Sequence, residues 1–198
     1  MFHPGFFKKT GLRAGLSALF LMVVFCIENP YEYRKPENVT VVINEFLTSN
    51  SLGIILDDAG EPEDFIELYN YGSKGINLNG LYLSDDSTDL FRYKLPDTTI
   101  PAGGYLVIWA DNDPDQGKLH APFKLSGSEG EEIILSLLNG VVVDRIQFFP
   151  HSGNPEARLP DISYGRVSDG AEEWGRQAEP TLGYKNKSYK VTAISMPE

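Results

Sequence analysis

Between residues 39 and 167 the chain alternates short apolar segments with turn-forming residues, and this alternation constrains the fold more than any other feature. Each segment is rich in Val, Ile, Leu, Tyr and Phe, the composition typical of strands. After residue 30, no stretch places apolar residues at helical spacing over three turns. The pattern therefore predicts an all-β sandwich or barrel, with strands at 39–47, 65–70, 76–84, 90–95, 105–110, 131–138, 141–149 and 162–167.

Three Gly-containing turns support this interpretation. Asn79-Gly80 and Asn139-Gly140 are dipeptides typical of tight turns, and Pro101 to Gly104 forms a third turn directly before a strand. Leu138-Asn139-Gly140-Val141 is the strongest hairpin signal. We predict a type I′ turn there, which requires positive φ at both central residues.

The N-terminal segment, residues 1–26, has the pattern of an export signal. A basic region containing Lys8, Lys9 and Arg13 precedes an uncharged apolar run from Ala14 to Ile27. A basic start followed by a short apolar core is typical of a secretory signal, and the run is short for a membrane-spanning helix. We therefore expect an exported protein, either held in the cell envelope or secreted.

Cys26 at the end of the apolar run is the expected lipidation site. A lipidated cysteine follows the apolar core of bacterial lipoprotein signals, although the residue before it is normally small and here is Phe25. Simple secretion and an uncleaved anchor are the alternatives. Residues 27–38 are polar with two prolines, which predicts a tether between anchor and domain.

The charge of the chain limits its partners. The formal net charge is −11 at pH 7, and the N-terminal segment carries basic residues and no acids, so the remainder is more acidic still. Such a surface repels nucleic acids and anionic lipid headgroups and attracts divalent cations. We expect no nucleic-acid partner, and membrane contact through the N-terminal segment only. The single cysteine excludes an intrachain disulfide.

The order of the segments resembles the lamin tail domain family over about residues 40–186. The resemblance is carried by VVINEFL, DFIELYNYGSKGINLNGLYLSDD, YKLPDTTIPAGGYLVIWAD, LHAPFKLSGSEGEEIILSLLNGVVVDRIQF, SYGRVSDGAEEW and EPTLGYKN, in this order. It implies an immunoglobulin-like β-sandwich at 39–187, followed by a C-terminal extension at 188–198.

The family resemblance also implies a function. Its bacterial exported members are similar to this chain and serve as accessory modules without catalytic activity, so we expect a binding module that contacts a protein or a cell-envelope polymer. The chain lacks the heptads of a coiled-coil rod, and a nuclear filament role is not expected.

The stretch from Asp111 to Gly117, DNDPDQG, is a candidate calcium loop. An EF-hand needs Gly at position six and Glu at position twelve, and here Gln116 and Pro122 occupy those positions. Two interpretations remain: a solvated loop, or a calcium site formed by Asp111, Asp113 and Asp115. No other cofactor is expected.

Glu45 and Glu67 form the alternative, enzymatic hypothesis. Each alternates with apolar residues on a predicted strand, Glu45 with Ile43 and Leu47. Two carboxylates on adjacent strands, about 5–9 Å apart, would suit glycoside hydrolysis. In the structural interpretations, the apolar neighbours belong to the other register, or each glutamate lies at a strand edge and caps backbone N–H groups or pairs with arginine. The candidate arginines are Arg92, Arg145, Arg158 and Arg166.

Other catalytic and zinc patterns are missing from the sequence. His120 and His151 have no Cys or His at metal-ligand spacing, so the sequence argues against zinc, and His120 is expected to position its loop beside Phe123. The protein is therefore expected not to be an enzyme.

Aromatic residues supply the remaining binding candidates. Tyr71 and Tyr184 lie beside Gly and polar residues, which predicts that they are exposed and available to a partner. Trp109, within an apolar segment, is expected in the core. Coplanar exposed aromatics would make the domain a carbohydrate-binding module, the second alternative.

Overall fold

A computed structural model of the chain describes residues 36, 38–126, 131–148, 160–177 and 179–187. Every regular element in these ranges is a β-strand, as the sequence predicted. The strands are β1 (Val41–Leu47), β2 (Phe65–Asn70), β3 (Ile76–Asn77), β4 (Leu81–Ser84), β5 (Tyr93–Lys94), β6 (Thr99–Ile100), β7 (Tyr105–Trp109), β8 (Glu131–Leu137), β9 (Val142–Phe148), β10 (Tyr164–Arg166) and β11 (Trp174–Arg176).

Two antiparallel sheets enclose one core. The larger sheet has the order β11-β10-β1-β2-β7, the second has the order β5-β4-β8-β9, and β3 pairs with β6 in a two-stranded ribbon. Buried residues of both larger sheets belong to one apolar cluster, for example Ile43 and Phe46 of β1 with Ile133 and Leu135 of β8. This is the expected sandwich, in which inward-facing residues of two sheets form the core.

Three strand predictions need correction. The segment 76–84 is interrupted by a turn at Asn79-Gly80, where Gly80 has φ 87°. The turn transfers the chain from the ribbon to the second sheet, so β3 and β4 are separate strands. Segment 90–95 pairs only at Tyr93–Lys94, and the short strands β6 and β11 were not predicted.

The β8–β9 hairpin also differs from its prediction. Gly140 N–H donates to Leu137 O over 2.8 Å, and Leu137 N–H donates to Val141 O over 2.8 Å. Gly140 has φ 80°, whereas Asn139 has no positive φ. The connection is therefore a three-residue loop with glycine at the left-handed position, and the type I′ prediction is wrong. One added loop residue accommodates the turn without forcing Asn139 into a left-handed conformation.

A β-bulge in β1 reorients its side chains. Ile43 pairs with Leu68 and Glu45 pairs with Glu67, so Asn44 is the extra residue. An added residue reverses the inward and outward alternation beyond it. Ile43 consequently belongs to the inter-sheet core, whereas Glu45 does not share its face as the alternation predicted.

Several sequence predictions lie outside the described residues. They are the export signal at 1–26 with Cys26, nearly all of the tether at 27–38, His151, Arg158 and the extension at 188–198. Within the described part of the chain, no helix has the length and apolarity needed to cross a membrane.

Candidate functional site

Glu45 lies at the centre of a buried polar network on β1. Its side chain is 0% exposed. Its carboxylate accepts hydrogen bonds from the hydroxyls of Ser163 and Thr181 and from Thr181 N–H, the last over 2.9 Å. Burial raises the pKa of Glu45, and these hydrogen bonds oppose the rise. The side chain therefore links β1 to the residue before β10, Ser163, and to the segment after β11, at Thr181.

Glu67 of β2 is Glu45's cross-strand partner and is also 0% exposed. Its carboxylate accepts hydrogen bonds from Asn44 Nδ2 over 3.0 Å and from Gly183 N–H over 2.6 Å. Burial is the main cause that raises the pKa of Glu67 to about 8, and the nearby Glu45 adds to it.

The glutamate pair does not form an open catalytic cleft. A glycoside hydrolase must admit a sugar between its two carboxylates, and here both are closed off from solvent. Of the structural interpretations, the other register is confirmed for Ile43 relative to Glu45 by the bulge at Asn44. Capping of backbone N–H groups is confirmed for Thr181 and Gly183. Pairing with arginine is not observed at the described positions: Arg92, Arg145 and Arg166 pair with Asp85, Glu132 and Asp144.

The bulged Asn44 connects this network to the C-terminal segment. Asn44 Nδ2 lies 3.1 Å from Asn186 Oδ1, and Asn44 O accepts a bond from Asn186 Nδ2, also over 3.1 Å. Gly165 of β10 lies so close that a Cβ there would come within 2.9 Å of Asn186 Nδ2. The packing shows that Asn44, Glu45 and Glu67 hold the last described segment against the sheet.

A second polar cluster surrounds His120, whose side chain is 1% exposed. Its Nδ1 is hydrogen bonded to the buried carboxylate of Asp111, and its Nε2 lies 2.8 Å from Oδ1 of the exposed Asp58. One oxygen of Asp57, one of Asp58 and one nitrogen of His120 lie within 4.8 Å of one another. Burial alone would lower the pKa of His120, but the hydrogen bonds to Asp111 and Asp58 raise it.

This cluster could not be recognised from sequence spacing. Asp57 and Asp58 lie in the long β1–β2 loop, whereas His120 follows β7, more than sixty residues later. A parallel bridge between Trp109 and His120 places the imidazole beside the end of β7. The only local signal was an Asp-Asp pair before Gly60, which is also common in plain turns.

The three aspartates of the calcium hypothesis are not brought together. Asp111 is buried, with one oxygen on His120 and the other accepting Asp113 N–H over 3.0 Å. Asp115 is exposed. Among the described residues, the side chains that lie at metal-binding distances from one another are Asp57, Asp58 and His120. Asp113 and Asp115 do not belong to this group.

The exposed surface includes both predicted tyrosines and one unpredicted apolar loop. Tyr184 is 76% exposed and Tyr71 42% exposed, and the hydroxyl of Tyr71 donates to Val39 O over 2.9 Å. Trp109 is partly buried and packs edge-on against Phe65. In the β1–β2 loop, large aliphatic side chains at 52, 54 and 56 are exposed. Sequence reasoning missed them because the exposure of a loop side chain depends on which segments pack over it.

Comparison with known proteins agrees with this architecture. The family model described as Lamin Tail Domain matches residues 34–149, well over half of the chain. No curated protein matches the chain. The β10 and β11 strands lie beyond the matched residues and nevertheless complete the larger sheet. The chain therefore belongs to the lamin tail domain family, whose members are non-enzymatic immunoglobulin-like modules.

Proposed function

We propose that this protein is an exported, membrane-tethered binding module that contacts a protein partner through its β1–β2 loop. The N-terminal pattern of basic residues, apolar run and Cys26 supports export and lipid tethering. The family supports a module without catalytic activity. The β1–β2 loop supports contact with a protein partner, because its apolar side chains are exposed to solvent.

The carrying observation is the exposure of three aliphatic side chains within five residues. Leu52 is 77% exposed, Ile54 54% and Leu56 52%. Single exposed apolar residues are ordinary, whereas three in one short loop favour an interaction site. Burying such side chains against a partner is worth about 1.5–3 kcal/mol each when complete.

The loop is held in place in spite of its exposure. Asn50 Nδ2 donates to the carbonyls of Ile55 and Glu63, the latter over 3.2 Å. Leu52 N–H donates to Asp161 Oδ1 over 2.7 Å, and Asp161 N–H donates to Ser49 O over 2.7 Å. A loop that is already ordered loses less conformational entropy on binding, which favours affinity.

A protein partner fits this surface better than a carbohydrate polymer. Aliphatic side chains offer no aromatic face on which a sugar ring can stack. The exposed ring of Phe91 stands nearly perpendicular to Tyr82, at 77°, so these two do not form a flat platform. These features favour a protein over a carbohydrate polymer as the ligand of this domain.

Site-specific photo-crosslinking in cells of the source organism tests this proposal. A photoreactive amino acid replaces Ile54 in the full chain, and a matched version carries it at Thr99, an exposed residue on β6. We expect a discrete crosslinked protein at 54 and none at 99. Adding Leu52→Asp and Leu56→Asp should abolish the crosslink. A product that persists in that variant, or equal products at both positions, would overturn the proposal.

A further inference from the structure

Asp57 carries a buried oxygen without a partner. The residue is 8% exposed, and its Oδ1 accepts N–H groups from Ala59 and Glu61 over 2.9 and 2.8 Å. Its Oδ2 is buried with no hydrogen-bond donor among the described residues. A buried carboxylate oxygen left unpaired is costly, and such groups usually have a ligand, an ion or a water.

The turn around Asp57 is built to hold this carboxylate in place. Asp57 N–H donates to Glu61 O over 2.9 Å, and Gly60 N–H donates to Asp57 O over 3.2 Å. Together with the bonds to Oδ1, these contacts tie the side chain to its own loop. Asp57 is thereby preorganised, which a metal ligand requires.

His120 is oriented in the manner of a metal ligand. Its Nδ1–H donates to the buried carboxylate of Asp111, which directs Nε2 towards Asp58. One His120 nitrogen also lies within 4.8 Å of a carboxylate oxygen of Asp57. A carboxylate that accepts the other ring N–H of a metal-binding histidine sets its tautomer and increases its basicity. Asp58 is 75% exposed and is free to adjust its distance from the imidazole.

An ion pair alone does not account for this cluster. A protonated His120 would satisfy Asp111 and Asp58 through its two N–H groups, but Asp57 Oδ2 would remain without a donor. The nearby Lys124 pairs with Glu63 instead. Gln116, whose Nε2 donates to Glu61, also has a buried acceptor oxygen for which the described ranges of the chain supply no donor.

We propose that Asp57, Asp58 and His120 bind a divalent transition-metal ion, zinc in the first instance, with Asp111 positioning His120. One imidazole nitrogen and two carboxylate oxygens are ligands that zinc accepts, whereas calcium selects oxygen ligands. Because Asp58 is 75% exposed, solvent reaches the cluster from that side. The ion would join the β1–β2 loop to the loop after β7.

Calorimetry with the full-length protein tests the site. A Cys26→Ala background without an affinity tag removes the thiol, and ZnCl2, MnCl2 and CaCl2 are titrated separately. We expect one equivalent of zinc to bind, and a melting temperature about 5–10 °C higher when zinc is at a hundredfold excess over Kd. X-ray absorption should show one imidazole with Zn–N and Zn–O distances of about 2.0–2.2 Å.

Matched variants locate the site. Asp58→Asn removes an exposed ligand with little risk to folding and should weaken zinc binding at least tenfold, while Asp115→Asn and His151→Ala should leave it unchanged. His120→Ala should abolish binding, and circular dichroism reports whether it folds. Zinc binding unaffected by Asp58→Asn, or absent in the wild type, would overturn the proposal. Calcium binding that depends on Asp115 and not on Asp58 would also overturn it.

Discussion

Glu45 and Glu67 face each other across β1 and β2 with no solvent exposure, and each accepts a backbone N–H from the segment after β11. Two acidic side chains are thereby used as hydrogen-bond acceptors that fasten the end of the domain to its central strands. Unpaired N–H groups would otherwise be buried there, and leaving one without an acceptor costs about 1–3 kcal/mol.

Replacing Glu45 should destabilise the domain, and the loss should grow with the number of hydrogen-bond acceptors that the replacement removes. Glu45→Ala removes the acceptor of Thr181 N–H and of the Ser163 hydroxyl and creates a cavity, whereas the Thr181 hydroxyl keeps Asn186 Oδ1 at 3.2 Å. We therefore expect a loss of about 2–4 kcal/mol in the free energy of unfolding. Glu45→Gln keeps one acceptor oxygen and should cost less. Urea denaturation of the full-length protein measures both.

The exposed Glu172 supplies the control for this experiment. Glu172→Ala should change the free energy of unfolding by less than about 0.5 kcal/mol. Equal stability of the Glu45→Ala and Glu172→Ala proteins would contradict the role assigned to Glu45.

Stability should decrease as the pH rises from about 5 to 8.5. Burial and the neighbouring Glu63 raise the pKa of Asp64 to about 7, and burial raises the pKa of Glu67 to about 8. For each group the folded state holds its proton at pH values where the unfolded state has lost it. The contribution is therefore complete below the unfolded pKa and is lost as the pH rises through the folded one. Melting temperatures measured in EDTA at each pH test this expectation.

Asp64→Asn should make that pH profile shallower. The amide is neutral at every pH in the range, so at pH 8 we expect a gain of about 1 kcal/mol, reduced from the full effect by solvent screening at this partly exposed position. Glu67 still titrates in the variant, and some slope should remain. The exposed Asp115→Asn is the matched control, and an unchanged slope in Asp64→Asn would refute the prediction.

Breaking the ion pair between Arg166 and Asp144 should separate the two sheets locally. Arg166 of β10 donates to Asp144 of β9 over 2.7 Å and to Ile43 O over 2.7 Å, and its guanidinium lies 4.8 Å from the ring of Trp174. Arg166→Met leaves a buried carboxylate unpaired, and we expect a loss of about 3–5 kcal/mol.

The double replacement Arg166→Met with Asp144→Leu should restore part of that loss, because no buried charge remains unpaired. Recovery should be incomplete, since Asp144 Oδ2 also accepts Ile43 N–H over 2.8 Å. A double-mutant cycle in urea measures the coupling. Additive effects of the two replacements would show that the pair is not coupled.

Lipidation at Cys26 predicts a membrane-bound product in a bacterial host. We expect a labelled fatty acid to appear on the full-length wild-type chain and not on Cys26→Ala, and fractionation should place only the wild type with the membranes. Protein without label that is released to the periplasm or medium would instead show a secreted module, and the bulky Phe25 would explain the lack of modification.

Periodicity and turn chemistry predicted most of the strands, because both are local. The segments around Ile43, Ile66 and Ile133 were correctly assigned, and so was the turn before β7. The same rules failed at residues 76–84, where a turn separates two sheets, and at Trp174–Arg176, which is a strand only because β10 lies beside it. Pairing partners far away in the sequence decide such short strands.

The sites depended even more on distant contacts. Exposure of Tyr71 and Tyr184 followed from their polar neighbours and was confirmed. The face of Glu45 was mispredicted because a single added residue at Asn44 reverses alternation. His120 was expected only to position its loop, because its acidic neighbours Asp57 and Asp58 come from another loop and ligand spacing in the sequence cannot reveal them.

The sequence by itself determined the all-β class, the family, the acidic character and the pattern of an export signal, since each depends on composition or local order. Tertiary structure alone decided that Glu45 and Glu67 are buried acceptors, that Asp111 turns towards His120, and that the 52–56 loop remains exposed. The physical reason is that the burial of a side chain and its hydrogen-bond partners depend on which segments pack together. A β-bulge, or a contact between two loops distant in sequence, changes both without a local sequence signal.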